Sequence, residues 1–413
     1  MPRSTAPLLG FALALALPAS SEAADLQASE QIARGKYLTD AGDCVACHTV
    51  PGQAPFSGGR AIETPFGTLV SPNLTPDRET GLGSWSDEDF VRAVRDGIGR
   101  GGKHLYPALP YPYYTRVTRD DVLAIRAYLD TLKPVRNPVV SDQLPFPFDV
   151  RYSLVAWRAL YFKPGEWRDD PRKSAAWNRG GYLVEGLGHC GACHTPKTVL
   201  GGDENAQHLY GEPIQRWWAP GLNADKRSGL GQWSEDELVQ FLKTGRNAWA
   251  DASGPMAEVV TYSTSLMSDS DLRAIATYLK SVPGPGDEAR QPLVAGDARM
   301  RAGEAIYVDQ CSACHTSSGA GLPKLIPRLA GSPALQGREA TSAIRVVLEG
   351  VRSVGTDAAP TASAMPRFDW KLSDEQVAAV VTYVRNAWGN AAPPVSAGDV
   401  RSLRETLQDR PGE

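Results

Sequence analysis

Long apolar runs are all but missing from this 413-residue chain. The one exception, residues 8–19, is 12 residues long, well short of the ~20 that a membrane-spanning helix needs. Charge of a single sign is lacking as well. The 43 basic and 47 acidic residues leave −4 with no basic block, which excludes nucleic acid as a partner. Strand-like alternation is scarce, so an all-α fold is expected. The glycine-rich stretch 97–102 has no strand-then-helix setting, which excludes a dinucleotide-binding loop. Methionine numbers only five and cysteine only six.

Those six cysteines fall into three copies of one pattern: Cys44-Val45-Ala46-Cys47-His48, Cys190-Gly191-Ala192-Cys193-His194 and Cys311-Ser312-Ala313-Cys314-His315. This spacing is the attachment signature of c-type haem. Cysteines at i and i+3 lie on one face of a helical turn, so both thiols reach the vinyl edges of one porphyrin. The following histidine then points its imidazole at the iron. Three haem c groups are expected, each attached through one cysteine pair, with His48, His194 and His315 as axial iron ligands. The alternatives fit the pattern less well. Structural zinc pairs two such hooks or adds a distant histidine pair. A redox dithiol occurs once, at a helix start in a strand-helix-strand unit. A disulfide between i and i+3 staples almost nothing.

The N-terminus agrees with this chemistry. Arg3, the apolar run and Ser21-Glu22-Ala23 resemble a secretory signal over residues 1–23. Bacterial haem attachment to this motif takes place outside the cytoplasmic membrane. The expected location is therefore periplasmic, on the outer face of that membrane. Removing residues 1–23 leaves 390, enough for three domain-sized units.

The repeat extends beyond the cysteines. A helix-like segment precedes each motif: Arg34-Gly35-Lys36-Tyr37-Leu38, Arg179-Gly180-Gly181-Tyr182-Leu183 and Arg301-Ala302-Gly303-Glu304-Ala305-Ile306-Tyr307. A capped amphipathic helix closes each unit, over 118–132, 268–282 and 373–388, with Tyr128, Tyr278 and Tyr383 in equivalent places. Gly81-Leu82-Gly83-Ser84-Trp85-Ser86-Asp87-Glu88 returns as Gly229-Leu230-Gly231-Gln232-Trp233-Ser234-Glu235-Asp236. The expected architecture is three tandem cytochrome c-type domains, 24–133, 179–282 and 298–389, each wrapped around one haem. A Pro- and aromatic-rich connector, 134–178, holds one helix near 152–162. A Gly/Pro linker spans 283–297, and a tail, 390–413, contains a helical pattern over 400–408.

A cytochrome c iron takes methionine opposite its histidine, and the thioether raises the potential. Met365 lies 50 residues after His315 and Met256 lies 62 after His194, each ahead of a closing helix; both are expected as second axial ligands. Met267 and Met300 suit ordinary packing better. Unit one breaks the pattern, because 61 residues after His48 stands Leu109, which cannot bind iron. Haem one is expected to be five-coordinate, to carry water, or to use another side chain, for which His104 is the candidate in that unit. Pro72-Asn73-Leu74, Pro220-Gly221-Leu222 and Pro327-Arg328-Leu329 each follow a motif, where a backbone carbonyl can orient the haem histidine. His189 and His208 have no triad or metal spacing around them and read as structural or surface residues.

Gly58-Gly59-Arg60, Thr64-Pro65-Phe66-Gly67-Thr68, Ser71-Pro72-Asn73-Leu74-Thr75-Pro76-Asp77, Trp177-Asn178-Arg179-Gly180 and Trp370-Lys371-Leu372-Ser373-Asp374 carry a family likeness. With residues 105–111 and 186–194, they make the chain resemble the triheme cytochrome c subunit of bacterial membrane-bound dehydrogenases. That family serves alcohol and gluconate dehydrogenase complexes. The resemblance implies an electron-transfer subunit with a quinoprotein, flavoprotein or molybdoprotein dehydrogenase as partner. It further implies peripheral membrane association, and ubiquinone or a terminal acceptor downstream. The substrate, an alcohol, sugar, sugar acid or aldehyde, belongs to the partner's cofactor. Many members carry methionine where Leu109 stands, so ligation at haem one does not carry over. Two alternatives stand beside this reading: a free periplasmic shuttle, and a haem enzyme acting at an open first haem.

Overall fold

A glycine lets two helices cross at backbone contact, and this chain uses the device three times. The computed structural model describes residues 19–140, 142–286 and 290–408, with side chains from residue 25. Most of the apolar run 8–19 lies outside the described residues, as do linker residues 287–289 and tail residues 409–413. Unit one runs α1 (Ala19–Ala41), α2 (Cys44–His48), hairpin β1 (Ala61–Thr64) and β2 (Gly67–Val70), α3 (Asp87–Asp96), α4 (Tyr111–Tyr114) and α5 (Arg119–Leu129). The connector contributes α6 (Ser153–Tyr161). Unit two repeats the order with α7 (Ala175–Tyr182), α8 (Gly191–His194), β3 (Glu212–Ile214), β4 (Trp217–Ala219), α9 (Glu235–Thr244), α10 (Pro255–Tyr262) and α11 (Asp269–Leu279). Unit three comprises α12 (Ala298–Gln310), α13 (Ser312–His315), α14 (Pro333–Gln336), α15 (Thr341–Glu349), β5 (Val351–Arg352), β6 (Ala364–Met365) and α16 (Asp374–Val384). The chain's last described helix is α17 (Ala397–Gln408).

The crossings pair α1 with α5, α7 with α11, and α12 with α16. A β-carbon on Gly35, Gly180 or Gly303 would lie 1.8, 2.0 or 2.2 Å from the carbonyl oxygen of Ala124, Ala274 or Ala379. The equivalent Tyr128, Tyr278 and Tyr383 flank these contacts. Helix starts follow the sequence closely. Ser86, Ser234 and Ser373 form capping boxes, while Thr118 and Ser268 accept from the amides of Asp121 and Asp271. Each such cap stabilises its helix by about 1 kcal/mol. Among the described residues the strands are three short antiparallel pairs, so the fold is mostly helical, as the scarcity of alternation predicts.

The cores depart from three separate bodies. Leu38, Val122, Leu183, Leu187, Trp233 and Leu272 belong to one buried cluster shared by units one and two. Unit three buries its own, around Tyr307, Leu348, Val377 and Val381. The sharing has a polar counterpart. Arg34 bonds Asp121 within unit one, and Arg179 bonds Asp271 within unit two. The tyrosines cross over: Tyr37 of α1 donates to Asp271 at 2.7 Å, and Tyr182 of α7 donates to Asp121 at 2.5 Å. Each tyrosine oxygen also accepts the capping-residue amide of the opposite unit, Ser268 at 3.2 Å and Thr118 at 3.3 Å. Units one and two thus clasp each other in a reciprocal, pseudo-twofold manner.

Two further contacts complete the packing. Val354 of unit three packs with Val260 and Ala252 of unit two. Helix α17 begins three residues before the expected 400–408 segment and docks on unit three. Val400 and Leu407 of this helix are buried, and Arg404 donates to Asp374 and to two backbone carbonyls.

Candidate haem sites

In unit one the chain leaves α1 through Asp43, held in the left-handed region at φ 52°, and enters α2. The carbonyl of His48 accepts from the amide of Gly58 at 2.9 Å, which starts the return of the chain. Hairpin β1–β2 then brings Pro72 back so that its carbonyl lies 2.8 Å from His48 Nδ1. A carbonyl only accepts, so Nδ1 carries the proton and Nε2 keeps its lone pair for a metal. Unit two repeats each step. His189 takes the left-handed turn at φ 39°, Gly211 bonds the His194 carbonyl at 2.8 Å, and β3–β4 delivers Pro220 at 2.6 Å from His194 Nδ1. Burial lowers the proton affinity of both imidazoles, that of His194 to a pKa of about 4, which keeps them neutral and ligand-ready.

Unit three differs. His315 Nδ1 is buried without a hydrogen-bond partner, so the carbonyl expected from the Pro327 segment is not in place. The reason is local. Unit three has no hairpin here; a loop closed by the Leu322–Ile326 bridge intervenes, and Leu329 bonds Gly319 instead.

The cysteines fit porphyrin attachment and not the alternatives. None of the six is paired in a disulfide. Burial pushes the Cys44 and Cys190 thiols up to about 12 and those of Cys47 and Cys311 up to about 11, whereas a reactive dithiol needs a depressed value. Among the described residues no group of three or more His, Cys, Asp or Glu converges, which leaves zinc without a ligand set.

The methionines separate into two kinds. Met267 and Met300 are fully buried in the two large clusters, as packing residues. Met256, the second residue of α10, and Met365 on β6 are half-buried. A common framework relates these loops. Gly97, Gly245 and Gly350 each follow a helix in a left-handed conformation. The next residue then pairs across the loop: Ile98 with His104, Arg246 with Asp251, and Val351 with Met365. Five residues beyond the paired position stand Leu109 in unit one and Met256 in unit two. His104 thus occupies the rung that Met365 holds in unit three. Its carbonyl accepts from Arg151 at 2.8 Å, while its Nδ1 is buried with no partner.

Other residues around the motifs make contacts that their sequence surroundings do not announce. The Tyr114 hydroxyl donates to the Gly42 carbonyl at 3.3 Å, and its ring lies 5.4 Å from the ring of His189, which spans the approaches to motifs one and two. Arg60 donates to the carbonyl of Ala46 inside motif one and grips both oxygens of Glu258 at 2.9 Å, tying α10 of unit two to motif one. Only the duplication of neighbouring segments hints that units one and two lie side by side. His208 bonds the buried Glu185 at 2.8 Å, and His189 bonds the Leu187 carbonyl at 3.1 Å; both are structural, as their sequence surroundings suggest.

Paired thiols on a helical turn, an adjacent histidine oriented through Nδ1, and a glycine-mediated crossing of first and last helices define a c-type cytochrome. A model of the Cytochrome c family matches residues 32–133 and 300–388. The gluconate 2-dehydrogenase cytochrome c subunit of Pantoea cypripedii is 43% identical, over 97% of this chain and 96% of that one. The cytochrome c subunit of the alcohol dehydrogenase (quinone) of Gluconobacter oxydans is 41% identical, over 91% and 82%. The fructose dehydrogenase cytochrome subunit of Gluconobacter japonicus is 38% identical, over 90% and 82%. The chain belongs to this family of dehydrogenase cytochrome c subunits, which bind haem c covalently and transfer electrons.

Proposed function

We propose that this chain is the triheme electron-transfer subunit of a periplasmic dehydrogenase complex, on the outer face of the cytoplasmic membrane. Its catalytic partner is a quinoprotein, flavoprotein or molybdoprotein. Its acceptor is ubiquinone or a terminal carrier. The observation that carries the reading is the repeated histidine-to-proline-carbonyl geometry at His48 and His194, which holds two imidazoles neutral with Nε2 free. The haem groups, when bound, supply one-electron transfer. The chain contributes thioether links through the six motif cysteines, axial nitrogens from His48, His194 and His315, and thioether sulfur from Met256 and Met365. Haem one receives no methionine, since Leu109 stands at the counterpart of Met256; His104 is its candidate donor.

Docking to a large partner fits better than a free shuttle, which is usually one small domain with a weak interface. Here three units are fused, and two of them share a core. Isolation of the protein from its native membranes tests the reading. A stoichiometric catalytic subunit is expected, with three haems per chain by pyridine haemochrome and reduction on adding that subunit's substrate. Recovery of the chain alone, or of two haems, would sink it.

A further inference from the structure

Helix α10 turns two opposite faces to two different haem sites. Each residue of a helix rotates about 100° from the last, so positions two apart point nearly opposite ways. Met256 and Glu258 are such a pair. Met256 shares its face with Val260, four residues on, and both pack in the small cluster that includes Ala252 of unit two and Val354 of unit three. Glu258 turns to unit one, where Arg60 donates to both of its carboxylate oxygens at 2.9 Å. The same guanidinium donates to the carbonyl of Ala46, between the two cysteines of motif one.

A second tether holds the far end of the helix. Ser263, its C-cap residue, donates through Oγ to the carbonyl of Ala41 at 3.0 Å, and this bond is buried. Ala41 ends α1 and stands three residues before Cys44. Helix α10 of unit two is thus fastened to unit one at two points that bracket the first cysteine of motif one. The arrangement is particular to unit two. Two positions beyond Leu109 in unit one stands the buried Tyr111, and two beyond Met365 in unit three stands Arg367, which pairs with Asp369.

We propose that Arg60 and Glu258 are positioning residues for the sixth ligand of haem two: from motif one of the neighbouring unit they hold α10 docked, and with it Met256 in place. The inference rests on the reading of Met256 as the second axial ligand of haem two. A methionine leaves its iron when the segment that carries it opens, and local opening takes far less free energy than unfolding. Helix α10 has eight residues and packs on a cluster of only three buried side chains, so a polar tether is a sizeable part of what keeps it closed. Glu258 is 45 % exposed, and an ion pair this accessible to water shifts an equilibrium by a small factor. The expected effect is therefore about threefold on methionine release, with the fold retained.

Displacement of methionine by imidazole provides the test, in the full haem-loaded ferric chain and followed by the near-infrared sulfur-to-iron band. A Met365→Leu background makes the band report haem two alone. In that background Arg60→Ala and Glu258→Gln are each expected to lower the imidazole concentration at half-loss of the band by about threefold. The double variant is expected to match Arg60→Ala, because both changes break one contact. Arg119→Ala, which breaks the exposed pair with Glu88 in unit one, is expected to leave the midpoint where it was. An unchanged midpoint in both Arg60→Ala and Glu258→Gln overturns the proposal while Met256 keeps its role. An equal shift in Arg119→Ala also overturns it, since the effect is then one of general stability. A Met365→Leu chain with no sulfur-to-iron band removes Met256 as a ligand, and the proposal with it.

Discussion

In the proposed triheme reading, Leu109 governs the sixth position of haem one. A thioether favours the reduced state and raises the potential, so a haem without one works at a lower potential than its neighbours or keeps an open side. The loop framework gives this residue a structural address: it stands five positions after the paired rung, as Met256 does in unit two. The wild-type protein is therefore expected to show a near-infrared sulfur-to-iron charge-transfer band with the intensity of two haems. Leu109→Met is expected to raise that intensity by about half and to move one of three potentials upward. A band of three-haem intensity in the wild type would refute the assignment. Leucine in place of methionine is readable from spacing alone, since it falls 61 residues after His48 against 62 for the unit-two pair. The rung of His104 is not, because it depends on a backbone pairing of residues 98 and 104 that no side-chain pattern announces.

At the scale of elements, the three glycine crossings leave no room for a larger residue. At Gly180 an added β-carbon would lie 2.0 Å from the Ala274 oxygen and 2.8 Å from the Tyr278 β-carbon, so two helix backbones would have to separate. Overpacking of this kind costs about 2 kcal/mol or more, and the cost falls on the crossing that frames motif two. Gly180→Ala is expected to lower the thermal midpoint clearly, while Gly296→Ala, with nothing within 4 Å of its β-carbon, leaves it unchanged. Equal melting of the two variants by haem circular dichroism would reject the crossing as a stability determinant. The helices themselves were readable, because capping serines and threonines precede apolar periodicity at 118, 268 and 373. The hairpins were not. Strands of four residues or fewer, such as β3 with Pro213 and β4 with two tryptophans, are too short to display a period of two. The glycines were visible as part of a repeat, but their partners Ala124, Ala274 and Ala379 lie far along the chain, and only the packed fold joins them.

On the scale of the whole molecule, the clasp between units one and two makes two repeats one cooperative body. Arg34 and Arg179 are separated by 145 residues, as are Tyr37 and Tyr182, whereas Asp121 and Asp271 are separated by 150. Such near-equal offsets reveal a duplication but not that the tyrosines exchange partners. That exchange follows from how the two bodies meet. Removing either cross-unit hydroxyl, by Tyr37→Phe or Tyr182→Phe, leaves one carboxylate short of a donor and is expected to cost about 1.5–3 kcal/mol. Loss of both is expected to separate the unfolding of units one and two into distinguishable steps. The Asp271 carboxyl supplies a pH signature. Burial works to raise its pKa, but hydrogen bonds from Arg179 and Tyr37 outweigh burial and hold it below the usual carboxylate range. A depressed folded-state value means that the unfolded chain takes up the proton first, so the stabilisation is complete at neutral pH. It declines as pH falls below the unfolded value of about 3.9. Asp271→Asn is expected to be less stable than wild type at pH 7, with the gap closing as denaturant midpoints are measured toward pH 3. A gap that stays constant across this range would show that the clasp acts through packing alone and that the charge of Asp271 contributes nothing to it.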